Sequence, residues 1–147
     1  LNVVPLEAET ALGSRGKMVS LSKYKTKFAK PSGIIPLDIF NLNVAVFHSE
    51  PDRISGLTGQ GCNDLSEHSP AALASAHRDF TVDGEVRFSM VIKPGATKAT
   101  WAHECVHIAD FVIDYLALPT SIKGTEVRAY MVGHLFSHLQ KIMRKTK

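Results

Sequence analysis

The segment His103-Glu104-Cys105-Val106-His107 constrains this chain more than any other part of its sequence. On an α-helix, residues four positions apart lie on one face, with their Cβ atoms about 5 to 6 Å apart. Two imidazoles at that spacing can bind one metal ion, and zinc accepts histidine nitrogen readily. Glu104 then lies beside the ion, where a general base is needed. The motif therefore predicts a helix that carries a Zn²⁺ site.

The residues around the motif favour one long helix. Residues 97–118 contain no Gly or Pro, whereas Pro94-Gly95 precedes them and Pro119 follows. At 100° per residue the helix has a narrow polar stripe, and its opposite side is apolar. The stripe consists of His103, His107, Asp110 and Asp114. We expect Asp110 either to orient a ligating histidine or to remain a solvated charge.

A catalytic zinc usually takes three protein ligands and one water, so a third ligand is expected downstream. Glu126 is the best candidate, near the start of a second predicted helix from Thr125 to Met143 with Thr125 as its N-cap. An acidic side chain there also stabilises the helix N-terminus without binding metal. One face of this helix carries Glu126, Tyr130, Gly133 and Ser137. Its small residues would let it pack closely against the first helix.

The spacing of His103, Glu104 and His107, with Glu126 nineteen residues after His107, resembles the zincin metallopeptidases. The glutamate third ligand is typical of their gluzincin branch, and the resemblance covers roughly residues 85–140. The small size of the chain is similar to that of compact metallopeptidases from phages and other mobile elements. Two departures stand out. Ile113 stands six residues after His107, where metzincins and aspzincins would need a further His or Asp, and Tyr130 stands where many gluzincins carry an acidic residue.

The resemblance implies a zinc-dependent metallopeptidase that hydrolyses peptide bonds. Zinc held by His103, His107 and Glu126 would activate a water, and Glu104 would take the proton from it. Tyr130 is the preferred donor to the oxyanion, with His134 as the alternative. In zincins a strand before the active helix pairs with an extended peptide or protein substrate, a place that residues 86–92 would occupy.

The region before the motif predicts a small antiparallel or mixed sheet. Residues 39–48 are rich in β-formers and predict a strand. Residues 51–70 contain three glycines and many polar residues, and we predict a loop there. Residues 78–82 and 85–92 flank Asp83-Gly84, a pair that favours a two-residue hairpin. The expected fold class is α+β, a sheet followed by the active-site helix and a ligand-bearing helix.

Length and charge suggest a single domain with basic ends. We predict a basic extension over residues 1–30, a zincin-like domain over 31–143 and a basic tail over 144–147. Ten of the 17 basic residues lie in residues 15–30 and 141–147, and residues 31–140 carry a net charge of −5. Solubilising ends are the commoner explanation, and nucleic-acid contact is the alternative. No segment looks able to cross a membrane, so we expect a cytoplasmic protein.

Two further hypotheses remain beside the enzyme. A fourth protein ligand such as Asp110 or His134 would close the zinc site and make it structural. Alternatively, the chain is an interaction protein of a phage or mobile element that keeps a zincin-like shape without catalysis. Loss of hydrolysis on changing Glu104, with zinc binding unaltered, would separate the enzyme from both.

Overall fold

A computed structural model describes residues 27–67, 69–118 and 122–146, with only the backbone given for 122 and 123. The residues in these ranges form a four-stranded mixed sheet and three α-helices, which confirms the α+β class. The strands are β1 (Gly33–Leu37), β2 (Leu42–Phe47), β3 (Ala74–Phe80) and β4 (Val86–Ile92). The helices are α1 (Glu50–Gly59), α2 (Lys98–Tyr115) and α3 (Ile122–Lys145). Most of the predicted N-terminal extension lies outside these ranges.

The sheet has the order β1-β2-β4-β3. The β1–β2 and β3–β4 pairs are antiparallel, while β2 and β4 run parallel because α1 and β3 lie between them in the chain. Helices α2 and α3 pack on one face of the sheet, as the Trp101–Phe136 ring contact and the core of α2 and α3 residues indicate. Buried α3 residues in this core include Met131, Leu135 and Leu139. Helix α1 packs against β2, where Gly56 meets the ring of Phe47.

The prediction of a loop over residues 51–70 is wrong in its first half, because α1 occupies Glu50–Gly59. Ser49 caps this helix by accepting a hydrogen bond from the Asp52 N–H, and Pro51 lies in the first turn, where its missing N–H costs nothing. Two glycines that suggested a loop are packing residues. A Cβ on Gly56 would lie 2.7 Å from the Phe47 ring, and one on Gly59 would lie 2.6 Å from Phe28.

Several predicted boundaries also differ from the structure. The strand expected over residues 39–48 begins at Leu42, because a 3₁₀ turn and the left-handed Asn41 (φ 54°) precede it. The β3–β4 connection spans residues 81–85, longer than a two-residue hairpin, with Gly84 at φ 88°. Helix α3 begins at Ile122, so Thr125 lies inside it and is not its N-cap.

The predicted metal helix is confirmed as a helix. Thr97 is its N-cap and accepts a hydrogen bond from the Thr100 N–H, and the last helical residue is Tyr115. The helix ends before Leu118 because Ala117 takes a left-handed conformation (φ 53°) and donates its N–H to the Asp114 carbonyl. Its apolar side is buried as expected: Cys105, Ile108, Ala109 and Val112 have no exposed surface.

Candidate metal centre

His103 and His107 lie side by side on the exposed face of α2. Their Nε2 atoms are 3.0 Å apart, and the two rings meet nearly edge to face with centroids 4.6 Å apart. This arrangement follows directly from the four-residue spacing on a regular helix, which places one ring a turn above the other. The pair therefore presents two nitrogens that converge on one point outside the helix.

The distance between the nitrogens fits a shared zinc ion. Histidine nitrogen binds zinc at about 2.0 to 2.1 Å, so two ligands at a tetrahedral angle lie about 3.3 Å apart. The observed 3.0 Å needs only a small adjustment of the two rings. In the present arrangement one imidazole donates its Nε2–H to the other, which requires opposite tautomers on the two rings. These two residues are thus suited to bind a divalent ion together.

Glu104 is buried between α2 and the sheet, with 7% of its surface exposed. It shares a helix face with Phe111, seven residues later, and Arg78 of β3 lies 5.5 Å from the Phe111 ring centroid. The Glu104 side chain therefore points toward the β3 side of α2. Within the described ranges no Lys, Arg or His forms an ion pair with it. A carboxylate beside the histidine pair and free of an ion pair remains available to accept a proton.

Two salt bridges occupy the rest of the polar stripe. The Arg128 guanidinium of α3 donates to both oxygens of Asp110, at 2.6 and 3.1 Å. Hydrogen bonding to Asp110, followed by the negative charge of that carboxylate, raises the pKa of Arg128. Asp114 accepts a hydrogen bond of 2.7 Å from Arg78 of β3. Sequence reasoning identified both aspartates but neither of their partners, because no local pattern links residues 18 or 36 positions apart.

Glu126 does not lie beside the histidine pair. The Asp110–Arg128 bridge and the Trp101–Phe136 contact set α2 and α3 antiparallel and fix their relative level. With the two helices aligned by these contacts, Glu126 lies opposite residue 112. That position is five residues beyond His107, or about 7 Å along the axis of α2. Glu126 also precedes Arg128 by two residues, a rotation of about 200° around α3, so it points away from α2.

Tyr130 follows Arg128 by two residues and therefore shares the outward face of α3 with Glu126. Its side chain is 81% exposed. The sequence correctly places Glu126 and Tyr130 on one face, but that face is turned to solvent. No group of three His, Cys, Asp or Glu residues able to hold a metal occurs within the described ranges. The structure thus assembles two of the three predicted metal ligands.

The other candidate histidines have backbone partners. Nε2 of His134 lies 2.7 Å from the Pro36 carbonyl and donates to it, which ties α3 to the end of β1. Nδ1 of His138 donates to the His134 carbonyl at 3.0 Å. His134 is thus occupied on the β1 side of α3, while α2 lies on the side that carries Arg128 and Phe136. Neither histidine points at the His103–His107 pair.

The strand next to α2 at the edge of the sheet is β3, and the expectation for residues 86–92 is corrected accordingly. Strand β4 lies between β2 and β3 and is hydrogen-bonded on both sides, so it has no edge to offer a peptide. Within the sheet β3 pairs with β4 alone, so among the described residues its outer edge is open over Ala74–Phe80, whereas Thr81 and Val82 beyond it pair with Cys62 and Gly61. The direct Arg78–Asp114 bridge shows that this edge strand runs beside the helix with the histidine pair.

A buried polar network lies on the face of the sheet opposite α2 and α3, and the sequence did not predict it. Arg53 of α1 is fully buried and binds Asp79 of β3 at 2.9 Å and Glu50 at 2.8 Å. The backbone of Ser66 joins both partners, since its N–H donates to Asp79 and its carbonyl accepts from Arg53. The Ser66 hydroxyl lies 2.7 Å from Nδ1 of buried His77. This network fixes the segment after α1 on the sheet.

Cys105 contributes packing to the metal helix, and its chemistry argues against a thiolate ligand. Burial, followed by the negative charge of Glu104, raises the pKa of the Cys105 thiol to about 12. The side chain has no exposed surface and lies on the opposite side of α2 from the histidines. It is a free, protonated thiol within the core, as its place on the apolar side predicted.

Comparison with known proteins adds no family to this description. No family model, no curated protein and no solved structure matches the chain. No described helix is both long and apolar enough to cross a membrane.

Proposed function

We propose that this protein is a cytoplasmic zinc-dependent metallopeptidase with its site on the exposed stripe of α2. The observation that carries the proposal is the 3.0 Å separation of the His103 and His107 Nε2 atoms, with Glu104 between them in sequence and nearly buried beside them. A pair of surface histidines without a function would not require a neighbouring carboxylate at the desolvation cost of burial.

The residues have distinct roles in this proposal. His103 and His107 would hold the zinc ion, which when bound lowers the pKa of a water toward about 7 and polarises the scissile carbonyl. Glu104 accepts the proton of that water and passes it to the leaving amine, so that one carboxylate acts as base and then as acid. Because Glu104 is nearly buried, few solvent molecules can exchange with the proton that it carries between the two steps.

The open edge of β3 supports a peptide as the substrate. An extended peptide added to this edge would satisfy the unpaired N–H and C=O groups of β3 and run alongside α2. Phe80 at the end of this edge is 45% exposed and offers apolar surface to substrate side chains, while the Val82 N–H beyond it already donates to the Gly61 carbonyl. Peptide or protein substrates therefore fit the site better than compact small molecules.

Glu126 as the third ligand and Tyr130 as the oxyanion donor remain part of the proposal on one condition. Both residues face away from α2 while Arg128 is bound to Asp110. They would reach the zinc only if the first turns of α3 changed their path. The change would break the Asp110–Arg128 bridge, so that bridge controls whether the third ligand is supplied.

The outward orientation of Glu126 and Tyr130 favours a second candidate function. A protein that keeps only the two-histidine site would bind zinc without catalysing hydrolysis, as a zinc-stabilised or interaction protein of a phage or mobile element. This alternative predicts zinc binding that depends on His103 and His107 but not on Glu126. It also predicts no turnover under any condition.

The experiment that separates the two functions compares the wild type with Glu104→Gln. Both proteins are purified, loaded with one equivalent of zinc and incubated with a mixture of unstructured peptides, whose cleavage is followed by mass spectrometry. The proposal predicts cleavage by the wild type, at least a hundredfold slower cleavage by Glu104→Gln, roughly the contribution of one general base, and equal zinc content in both. Equal zinc content without cleavage by the wild type would favour the non-catalytic alternative.

A further inference from the structure

The two ends of the sheet carry opposite charge. The strand pairings Gly33 with Val46 and Ala74 with Ile92 place the start of β1, the end of β2, the start of β3 and the end of β4 at one end. Helix α3 reaches this same end, because Ile142 packs directly on Gly33. We call it the basic end. Its cations are Lys30, Lys93, Lys98, Lys141, Arg144 and Lys145.

The basic end joins two parts of the sequence that are far apart. His134 binds the Pro36 carbonyl and Ile142 contacts Gly33, so α3 runs antiparallel to β1 and its last turn lies level with residues 30–32. The backbone of Lys30 is within about 10 Å of Gly33, given at most about 3.6 Å per residue. Lys30 and the last turn of α3 therefore both reach the basic end, Lys30 from the α1 face of the sheet, where Ala29 contacts Ser55 and Gly56, and α3 from the opposite face.

Most cations of the basic end have no partner among the described residues, whereas the arginines elsewhere are paired. Within the described residues, Lys30, Lys98, Lys141, Arg144 and Lys145 form no ion pair or hydrogen bond, and Lys93 binds only the Pro70 carbonyl. By contrast, Arg78, Arg87 and Arg128 each bind a carboxylate nearer the other end. The acids at the basic end lie in the first turn of α1, where Glu50 binds Arg53.

The opposite end collects acidic and exposed apolar residues. Asp38 follows β1, Asp83 and Glu85 lie in the β3–β4 connection, Asp114 ends α2 and Glu126 lies in the second turn of α3. The large apolar side chains with the greatest exposure lie there too, including Ile39 at 84% and Val82 at 67%. The molecule thus has an electrostatic dipole along its strands.

We infer that the basic end binds the phosphate backbone of double-stranded nucleic acid without reading its sequence. Six cations at one end of the sheet provide the charge that releases counterions from a duplex. The exposed aromatic side chains of the described residues, Phe80, Tyr115 and Tyr130, lie away from the basic end, so they do not provide it with the stacking groups that single-strand binding uses. This inference is independent of the proposed peptidase activity, because the His103–His107 pair is not part of the surface.

A nucleic acid fits this surface better than an anionic membrane does. A membrane-binding surface combines cations with apolar side chains that enter the lipid. The apolar face of α3 is buried against the sheet through Met131, Leu135 and Leu139. At the basic end Ile34 and Leu73 are each 49% exposed, whereas Ile39 at 84% and Val82 at 67% lie at the opposite end. The negative C-terminal end of the α3 dipole is also stabilised by nearby cations, here Lys141, Arg144 and Lys145, and that stabilisation requires no binding partner. The experiment must therefore measure binding and stability separately.

The test compares two variants with the same change in net charge. Lys141→Gln/Arg144→Gln removes two cations from the basic end, and Arg87→Gln/Arg128→Gln removes two from elsewhere. Binding to a fluorescent 20-base-pair DNA duplex is measured by anisotropy from 25 to 200 mM salt, beside thermal unfolding of each protein. We expect the first variant to bind at least about tenfold more weakly at low salt, with a salt slope smaller by up to about 1.8. The second variant should change the affinity less than about twofold.

Three outcomes would overturn the inference. They are no saturable duplex binding by the wild type at 25 mM salt, equal weakening by the two variants, and binding to phosphatidylserine vesicles with none to the duplex. If Lys141→Gln/Arg144→Gln unfolds at a lower temperature than the assay permits, Lys30→Gln/Lys98→Gln replaces it. That variant lies outside α3, is expected to give the same loss of affinity, and overturns the inference if it does not.

Discussion

Arg128 of α3 holds both carboxylate oxygens of Asp110 on α2, and this bridge fixes which face of α3 meets the helix with the histidine pair. Because Arg128 faces α2, Glu126 and Tyr130, two residues to either side, face solvent. While the bridge is formed, the site has its two histidines, and Glu126 is held away from it.

Replacing Arg128 with glutamine should increase zinc affinity. Without the guanidinium, the first turns of α3 are no longer tied to Asp110, and Glu126 becomes able to approach the histidines. We expect at least a threefold lower zinc Kd by competition with a chromogenic chelator. Arg78→Gln is the matched control, because it removes a guanidinium from Asp114 on the same stripe without touching α3.

The dependence on Glu126 decides the interpretation of that result. The gain in affinity should disappear in Arg128→Gln/Glu126→Gln, because no carboxylate then remains to join the zinc. A gain of equal size in Arg78→Gln, or one that persists in the double variant, would show a general electrostatic effect and contradict the proposed control by the bridge.

The buried Arg53–Asp79 pair should contribute strongly to stability. Both side chains are at most 1% exposed, and Asp79 also accepts from the Ser66 N–H, so Asp79→Asn removes the buried one of the two carboxylates that bind Arg53 and leaves Glu50 as the other. We expect Asp79→Asn to lower the free energy of unfolding by about 3 to 5 kcal/mol in urea denaturation. Arg87→Gln, at an exposed pair, should change it by less than about 1 kcal/mol. Similar values for both would argue against this role.

Two helical glycines should respond oppositely to alanine. A Cβ at Gly56 would lie 2.7 Å from the Phe47 ring and 2.9 Å from the Ala29 carbonyl, so Gly56→Ala should cost about 1 to 3 kcal/mol. A Cβ at Gly133 meets nothing within 4 Å, so Gly133→Ala should stabilise α3 by about 0.5 to 1 kcal/mol. Thermal unfolding measures both. Destabilisation by both changes would show that Gly133 has a packing role absent from this structure.

The two buried thiols should make the protein less stable at alkaline pH. Burial raises the pKa of the Cys62 thiol, and it raises the pKa of the Cys105 thiol to about 12. A thiol in the unfolded chain has a pKa of about 8.5. Between these values the unfolded chain releases protons that the folded protein retains, so the free energy of unfolding falls as pH rises. The fall approaches about 1.4 kcal/mol per pH unit for a thiol that stays protonated in the folded protein, as Cys105 does.

Denaturant unfolding between pH 8 and 10.5 measures this fall, and Cys105→Ala provides the comparison. The variant should lose stability less steeply with pH than the wild type, whatever its stability at pH 7. Identical slopes would contradict the assignment of Cys105 as a thiol that stays protonated in the core.

The sequence predicted those features that depend on local periodicity. The metal helix, the apolar burial of Cys105 and the shared face of Glu126 and Tyr130 follow from 3.6 residues per turn. Helix α1 was missed because Gly56 and Gly59 are typical of loops. Here the two glycines make room for the Phe47 ring of β2 and for Phe28, which precedes β1. Local composition cannot distinguish a packing glycine from a turn glycine.

The orientation of α3 and the position of β4 could not be predicted for a different reason. Which face of α3 meets α2 depends on Arg128 with Asp110 and Phe136 with Trp101, contacts between separate elements. Strand β4 became central because it pairs in parallel with β2, and only a tertiary contact sets that order. The histidine pair of the candidate site thus depends on local helix geometry, whereas the position of the proposed third ligand depends on tertiary contacts.

Zinc affinity measured on the wild type, His103→Ala and Glu126→Gln tests the central claim most directly. Each protein is stripped of metal and titrated with zinc against a chelator, and bound zinc is counted by elemental analysis. The proposal predicts one zinc per wild-type chain, a loss of at least about a hundredfold in affinity for His103→Ala, and unchanged affinity for Lys98→Gln as the control on the same helix. It also predicts weaker binding for Glu126→Gln. A wild type that binds no zinc, or binds it equally well without His103, would contradict the proposal.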